Sequence, residues 1–488
     1  MDRKVLAVVA LCVGALALCH GLIFAREGPA FPVDDAYITL HNALVLRAGN
    51  DPVYVGTPAL TGATSAAHCL LVSALSLLAK PAWALWLAAW VAALAYALGV
   101  VALGAAFRQP RWLTLTLVAL ALVLGRVPHQ LLNGLETGLA MAGITWALAL
   151  ASRDTPRAHF ALALVVGVLP FLRPELAALS LFLIGFDVHR TLAGTPRSAD
   201  GARRLALRFG LSVAAAAPFL AIYFVTTGSF VPQTIFAKKA FFAEGCLPPA
   251  VKLEWMWTSL SSFATDQGLF VQALLMLVLS GLGRVGLLFV FTLLAAYYRD
   301  FPGALGHYEH RYLYVVVPFL LLGVSIALAD ARRWTRWFGA FLLVAGVEQS
   351  LVAAPGQWRN HRAGVAFTEH ELGGVATWLR ENVPADGKIL LHDAGYVSFT
   401  VDRRAVDLVG LKTPMSHAEH RSRTLPSCGK QRGEAVHQVA LAQQPTHLVV
   451  LRRWDEIYEL TKSLTRFGWK LHRVRDQKEG YDVYRLSR

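Results

Sequence analysis

The chain has 488 residues, of which 55% are hydrophobic and 16% are charged, and its mean hydropathy is +0.47. Soluble domains carry about 25% charged residues, so this composition argues against an ordinary soluble enzyme and favours many membrane spans. The formal net charge is +14, but the basic residues are spread over short segments between apolar runs. We interpret most of them as the positive charge that marks cytoplasmic loops, and we expect no nucleic-acid partner.

Apolar runs approaching the roughly 20 residues that cross the hydrocarbon core of a bilayer recur from residue 5 to residue 353. They predict an α-helical polytopic membrane protein with about 11 spans. The predicted spans lie near residues 5–24, 82–106, 112–126, 130–151, 158–170, 175–187, 205–226, 267–281, 284–298, 313–330 and 335–353. The apolar stretch 66–79 is assigned instead to a surface-lying or re-entrant helix.

The arginines test the orientation of these spans, because short cytoplasmic loops are enriched in Lys and Arg. If residue 1 lies in the cytoplasm, every inner loop contains arginine. These are Arg108, Arg111, Arg153, Arg157, the five arginines from Arg190 to Arg208, Arg284, Arg332, Arg333 and Arg336. The agreement predicts a multi-pass protein of the inner membrane with a cytoplasmic N-terminus.

The composition also predicts two domains. Residues 1–355 form the polytopic membrane domain, whose long outer loops are 25–81 and 227–266. Residues 365–488 have the composition of a soluble α/β domain and fall on the extracytoplasmic side. Within this tail, we predict helices near 370–382 and 455–465 and strands near 388–392, 396–401, 446–451, 468–475 and 481–486.

Neither the spacing of the cysteines nor the one glycine motif indicates a metal-binding or dinucleotide-binding site. The five cysteines include no CxxC or other metal-ligand spacing. Cys246 and Cys428 both fall on the predicted outer side, where a disulfide and two separate thiols both fit the sequence. Residues 281–286 read GLGRVG, but they join two apolar runs instead of following a strand, so we interpret them as a turn between helices.

The adjacent carboxylates Asp34 and Asp35 are the most informative feature. They open a segment, 32–49, that reads PVDDAYITLHNALVLRAG and predicts a helix running through Leu46 to a stop at Gly49. Helix capping would explain one acid, because the helix dipole stabilises negative charge at its N-terminus. Two adjacent acids at the mouth of a membrane span also fit a catalytic base.

Several segments resemble one family of membrane enzymes. PVDDAYITLHNALVLRAGN followed by TGATS (61–65) resembles the first outer loop of GT-C glycosyltransferases, nearest the bacterial polyprenyl-phosphate arabinofuranosyltransferases that add terminal arabinose. Further segments extend the resemblance in order over most of the chain: NGLETGLAM (133–141), FLRPE (171–175), FVPQTIFAKKAFF (230–242), GHYEHRYLYVVVPF (306–319) and WLRENVPADGKILLHDAGYVSFTVDRRAVDLVGL (378–411).

The resemblance implies a fold of many spans with a catalytic aspartate in the first outer loop, at Asp34 or Asp35. It implies a sugar donor carried on polyprenyl phosphate and a glycan, lipid or protein hydroxyl as acceptor. Such a hydroxyl needs a base within hydrogen-bond reach, and a single base with in-line attack inverts the anomeric carbon. The other aspartate would orient the acceptor or bind a divalent cation such as Mg²⁺ or Mn²⁺.

A phosphate on the donor calls for cationic side chains. Lys238, Lys239 and Arg311 are the better candidates, each with the alternative of anchoring the chain at the bilayer interface. His307 is a further candidate for substrate binding. It lies three residues before His310, but a lone His pair is weak evidence for a metal site, and we predict none.

Three further charges, Glu136, Arg173 and Glu175, fall at membrane depth, where an unpaired charge costs about 3 kcal/mol. They should pair with one another, line a cavity or bind substrate. In the tail, Asp393 and Asp407 lie at predicted strand ends, where acids bind ligands or form turns. We expect the tail to recognise the acceptor or to act as a lid.

Two other functions fit the composition. A transporter or flippase of a lipid-linked sugar would have two related halves with broken helices, and the sequence shows no such repeat. A non-catalytic envelope assembly protein would not need either aspartate.

Overall fold

The computed structural model describes residues 2–24, 28–194, 199–475 and 480–488. Residues 25–27 of the predicted first outer loop and Arg197 of the arginine-rich loop lie outside the described residues. The chain forms two compact units. One, the helical unit, comprises the described parts of 1–29, 86–222 and 253–360; the other, the mixed unit, comprises those of 30–85, 223–252 and 361–488.

The protein is mostly helical. In chain order the helices are α1 Arg3–Phe24, α2 Asp35–Ala48, α3 Ala66–Leu75, α4 Pro81–Ala106, α5 Arg111–Val123, α6 Val127–Leu132, α7 Thr137–Ala151, α8 Pro156–Leu172, α9 Leu176–Gly194, α10 Ala199–Thr227, α11 Gln233–Phe242, α12 Pro249–Gln267, α13 Ala273–Met276, α14 Gly281–Asp300, α15 His307–His310, α16 Val317–Ala329, α17 Arg333–Phe367, α18 Gly373–Asn382, α19 Tyr396–Thr400, α20 Pro414–Glu419, α21 Arg432–Gln443, α22 Arg452–Tyr458 and α23 Leu460–Arg466. The strands are β1 Lys388–Leu391, β2 Arg404–Asp407, β3 His447–Leu451, β4 Lys470–Arg475 and β5 Tyr481–Ser487.

The described residues contain seven helices long and apolar enough to cross a membrane, or eight if the bent pair Pro302–His310 and Tyr314–Ala329 counts as one span. Four shorter apolar helices accompany them: α3, α5, α7 and α8. The chain is therefore a multi-pass membrane protein, as its composition predicts. The stretch predicted to lie on the surface forms α3, whose ten residues extend only about 15 Å at 1.5 Å per residue.

Two predicted spans are interrupted. The predicted span 130–151 breaks at Asn133–Glu136 between α6 and α7, so Glu136 lies at a helix start rather than within a continuous span. The predicted span 267–281 is a series of short 3-10 and α-helical segments that follow α12, and with α12 it forms one apolar stretch, Pro249–Leu279. The predicted outer loop 227–266 accordingly contains α11 and most of α12.

The GLGRVG residues were predicted to form a turn, but they lie within the first turns of α14, and the turn between the helices is at Ser280. Ser280 caps this helix by accepting the Gly283 N–H at 2.9 Å. A Cβ on Gly283 would lie 2.0 Å from the Leu277 carbonyl oxygen, so the turn requires glycine there.

The tail folds around a five-stranded sheet of order β2-β1-β3-β5-β4. Strands β1, β2 and β3 are parallel, whereas β5 runs antiparallel to β3 and to β4. The parallel strands bury runs such as Ile389–Leu391, as expected for strands covered on both faces. Helices α18, α21 and α23 contribute Leu379, Val436 and Leu464 to the same core.

Most tail elements match their prediction, but one is wrong. Residues 396–401, predicted as a strand, contain helix α19, because the chain turns at Gly395 directly after β1 and its loop. Strand β2 and helices α20 and α21 were not predicted. The core of the mixed unit also includes Ile38, Tyr54 and Phe241, which come from the two predicted outer loops.

Cys246 and Cys428 form a disulfide across a separation of 182 residues. Cys12, Cys19 and Cys69 are free thiols. The bond joins the segment after α11 to the tail, and both cysteines belong to the mixed unit. Disulfides persist in oxidising compartments, so this pair agrees with an extracytoplasmic mixed unit.

We therefore expect the denatured, unreduced protein to take up three alkyl groups from iodoacetamide, one for each free thiol, and five after reduction. Intact-mass spectrometry counts them. As a control, Cys246→Ser should give four groups with or without reductant. Five groups without reductant in the wild type would contradict the bond.

Candidate functional site

Helix α2 holds the two acids at its N-terminus. It begins at Asp35 and ends at Gly49, whose φ of +77° forms a left-handed cap with its N–H donating to Val45. Asp34 occupies the N-cap position, yet its side chain makes no capping hydrogen bond. The interpretation of Asp34 as a simple helix cap is therefore wrong.

Asp34 instead binds the tail. Its two carboxylate oxygens accept the N–H groups of Gly395 at 2.9 Å and Tyr396 at 2.6 Å. A Cβ on Gly395 would lie 2.4 Å from the Asp34 carboxylate, so only glycine permits the approach. The ring of Tyr37, one turn along α2, packs edge-on against Tyr396 at 4.7 Å. These contacts fasten the start of α2 to the start of α19.

Burial raises the pKa of Asp34 well above its ordinary value, and the nearby Asp393 carboxylate raises it further. The two N–H donors from the tail oppose this rise. Asp393 itself accepts the Tyr481 hydroxyl at 2.5 Å and lies 3.1 Å from the His392 ring. Asp393, which we predicted at a strand end, thus lies beside the acid pair.

Asp35 has a different environment. Its side chain is 19% exposed, and a carboxylate oxygen lies 3.7 Å from the Lys238 ammonium group on α11. The structure thus brings together Asp34, Asp35 and Lys238 from distant parts of the sequence. Lys239 is the next residue of α11 and is partly buried.

A buried polar network, not predicted from the sequence, fixes the rest of α2. Asp51 accepts His41 Nε2–H at 2.9 Å and the N–H groups of Val53 and Tyr54. The Lys412 ammonium group lies 3.2 Å from Asp51 and donates to Asn42 Oδ1 at 2.6 Å.

The charges of this network are mutually compensated. Burial lowers the pKa of Lys412, which Asp51 opposes. Although burial works against it, the His41 hydrogen bond and the Lys412 charge hold the pKa of Asp51 below its usual range. Gly62, of the TGATS segment, has a φ of +87°, and a Cβ there would lie 2.7 Å from the Lys412 side chain. The glycine makes room for the lysine.

The remaining predicted residues gather in the helical unit around Tyr312. Arg173 is fully buried, donates to Glu175 at 2.7 Å and lies 3.9 Å from Glu136. The Arg173 and Arg311 guanidinium groups each lie 4.7 Å from the centre of the Tyr312 ring. Glu136, Arg173 and Glu175 therefore pair with one another, which is one of the three alternatives given for them from the sequence.

The histidines near this cluster do not share a helical face. Tyr308, Glu309 and His310 have φ values of +45°, +58° and +62°, so α15 turns through left-handed backbone. The Gln130 side chain donates to the carbonyls of Tyr308 and Glu309 and stabilises this turn. The regular helix turn on which a His307–His310 metal pair would depend is thus absent.

In the described parts of the chain, no three His, Cys, Asp or Glu side chains are grouped so as to hold a metal ion. The chemistry available there is carried by carboxylates and cationic side chains.

Comparison with known proteins identifies the fold. Two crystal structures of ArnT from Cupriavidus metallidurans, one bound to undecaprenyl phosphate and one in the apo state, match with TM-scores of 0.51 and 0.50. Each is 14% identical to the chain, and the match covers 97% of both chains. The mycobacterial arabinofuranosyltransferase AftD matches with a TM-score of 0.53 and 16% identity, over 99% of this chain and 42% of that one.

The sequence comparisons are narrower. A family profile described as a domain of unknown function, DUF8728, matches residues 359–484. No curated protein matches the chain. The structural likeness confirms the predicted GT-C fold, a polytopic helical membrane protein with a C-terminal soluble α/β domain.

We predict that Lys412→Met destabilises the protein by about 3 kcal/mol, because it leaves the buried Asp51 carboxylate without its cation. Thermal unfolding of the full-length protein in detergent measures the change. Lys430→Met, at an exposed lysine of the same tail, should change stability by less than about 0.5 kcal/mol. Equal unfolding temperatures for the two variants would show that the Lys412 network does not stabilise the protein.

Proposed function

We propose that the protein is a membrane glycosyltransferase that moves a sugar from a polyprenyl-phosphate donor to a hydroxyl acceptor. The GT-C fold supports this proposal, and the ArnT structure with undecaprenyl phosphate supports a donor built on such a lipid. The sugar is arabinofuranose or another pentose or hexose, and the acceptor is a glycan, a glycolipid or a protein hydroxyl.

Asp35 is the general base of this proposal. The observation that carries it is that the two acids have different environments. Both carboxylate oxygens of Asp34 accept hydrogen bonds from the tail, whereas Asp35 is partly exposed beside Lys238. A base must have its oxygen within hydrogen-bond reach of the acceptor hydroxyl. Asp34 is then a positioning residue that sets where α2, and with it Asp35, begins.

The reaction follows from these roles. Asp35 takes the proton of the acceptor hydroxyl as its oxygen attacks the anomeric carbon. The bond between that carbon and the phosphate oxygen breaks, and its electron pair leaves with the polyprenyl phosphate. One displacement without a covalent enzyme intermediate inverts the anomeric configuration.

The cluster around Tyr312 supplies candidates for binding the donor phosphate. Arg311, which also donates to the Tyr312 hydroxyl at 2.7 Å, is the stronger candidate, because a guanidinium group can bind phosphate oxygens in pairs. Lys239 and His307 remain secondary candidates. A divalent cation, if used, would have to be held in part by the substrate.

The location is the inner membrane, with the N-terminus in the cytoplasm and the mixed unit outside. The positions of the arginines and the disulfide between Cys246 and Cys428 support this orientation. Outside the cytoplasm, a lipid-linked donor replaces nucleotide sugars. The tail would then contribute to acceptor recognition.

We expect Asp35→Asn to lower kcat by a factor of about 10² to 10⁴, the usual contribution of a positioned base. Purified protein supplied with radiolabelled polyprenyl-phosphate sugars and an envelope glycan extract gives the rate. Asp386→Asn, at an exposed acid of the tail, is the matched control and should keep wild-type turnover. Full turnover by Asp35→Asn would eliminate the proposed base.

Asp34→Asn should act through orientation. A neutral amide oxygen replaces the carboxylate, and its NH₂ group faces a backbone N–H, so one of the two tail contacts is lost. We expect a smaller fall in kcat than for Asp35→Asn, together with a lower unfolding temperature, which Asp35→Asn should not show. A larger loss of activity in Asp34→Asn at unchanged stability would assign the role of general base to Asp34 and the positioning role to Asp35.

A further inference from the structure

A cavity of about 340 Å³ lies in the helical unit between α8, α9 and α10. Its walls are mostly aliphatic. The lining residues are Leu162, Ala163, Val166, Leu183, Ile184, Asp187, Val188, Leu205, Ala206, Arg208, Phe209 and Ser212. None of them belongs to the acid pair, the Lys412 network or the cluster around Tyr312.

At one end of the cavity α8 and α10 are in close contact. A Cβ on Gly167 would lie 2.2 Å from the Ser212 carbonyl oxygen, so the two helices touch through backbone there. The Ser180 hydroxyl donates to the Val166 carbonyl at 2.7 Å and ties α9 to α8. Val166 and Ser212 also line the cavity, which therefore extends from this crossing towards Arg208.

A polar group with unmet bonding capacity lies at the other end. Arg208 is 8% exposed and donates through Nη1 to Asp187 at 2.9 Å and to Thr191 at 3.0 Å. Its buried Nε has no hydrogen-bond partner among the described residues. The Nε of Arg190, which follows Asp187 on α9, is buried and unpartnered in the same way. A buried donor without a partner costs about 1–3 kcal/mol, so this end of the cavity is polar and not fully satisfied by the protein.

The charge at this end of the helices is positive. The described parts of 151–160 and 185–212 contain six arginines and three aspartates, a surplus of three positive charges. The arginines are Arg153, Arg157, Arg190, Arg203, Arg204 and Arg208. Basic pockets between membrane helices bind acidic lipid headgroups.

We propose that this cavity binds one anionic phospholipid of the surrounding bilayer. An acyl chain lies against the aliphatic walls formed by Val166, Leu183 and Phe209. The phosphate lies at the Arg208 end, where the guanidinium group lines the cavity. The aliphatic walls disfavour a free phosphate, and the positive surplus disfavours a zwitterionic lipid. The site is separate from the proposed sugar transfer and does not depend on it.

The test compares retention of two lipids by the full-length protein. Protein in mixed micelles with dioleoyl-phosphatidylglycerol or dioleoyl-phosphatidylcholine is analysed by native mass spectrometry and by thermal unfolding. We expect one phosphatidylglycerol to be retained at least fivefold more than phosphatidylcholine and to raise the unfolding temperature. Inorganic phosphate alone should produce no shift.

Two variants and a control locate the site. Arg208→Gln removes the headgroup donor, and Ala163→Phe fills the cavity while leaving every charge in place. Each should lower phosphatidylglycerol retention at least fivefold. Arg284→Gln, at an exposed arginine of α14, should retain the lipid as the wild type does.

Retention by Ala163→Phe equal to the wild type would overturn the proposal, whatever the behaviour of Arg208→Gln. Equal retention of the two lipids by the wild type would also overturn it. So would displacement of phosphatidylglycerol by an equimolar amount of polyprenyl phosphate, because the cavity would then prefer a different lipid.

Discussion

The mixed unit depends on one interaction, the acceptance of two tail N–H groups by the Asp34 carboxylate. It joins residue 34 to residues 395 and 396 and determines where α2 begins. Because adjacent residues on a helix point about 100° apart, fastening Asp34 to the tail turns Asp35 to a different direction, where Lys238 lies. The sequence presents the two acids as equivalent, and the fold makes them different.

The second constraint is the buried network of Lys412, Asp51 and His41, which holds α2 along its middle. A buried ion pair contributes little net stability compared with an apolar pair, but it tolerates very few alternative arrangements. Together with the Asp34 contacts it fixes α2 at two points seven to eight residues apart, at Asp34 and at His41 and Asn42. A carboxylate that acts as a base has to be held to within a fraction of an ångström, and two fixed points on one helix meet that requirement.

Much of the fold could be predicted because its signals are local. The lengths of the apolar runs predicted the membrane spans, and Gly49, predicted to end α2, does so with a positive φ. The strand predicted at 396–401 failed because its alternation of apolar and polar residues is equally consistent with the short helix that Gly395 initiates. The break at residues 133–136 and the irregular segment after α12 were not predicted, because hydropathy indicates burial in lipid and does not indicate whether the backbone is a regular helix. For the site, the acid pair and Lys238 could be named, whereas Lys412 gave no signal, since its partners lie more than 360 residues away.

The contacts between the first outer segment and the tail also bear on how the protein is made. A chain emerging from the ribosome inserts its early helices long before residue 395 is synthesised, so α2 enters the membrane environment without the groups that hold Asp34. Only after residues 395 and 396 have been translated can the acid pair reach its final geometry. A copy that lacks these tail residues would therefore have an acid pair that is not held in place.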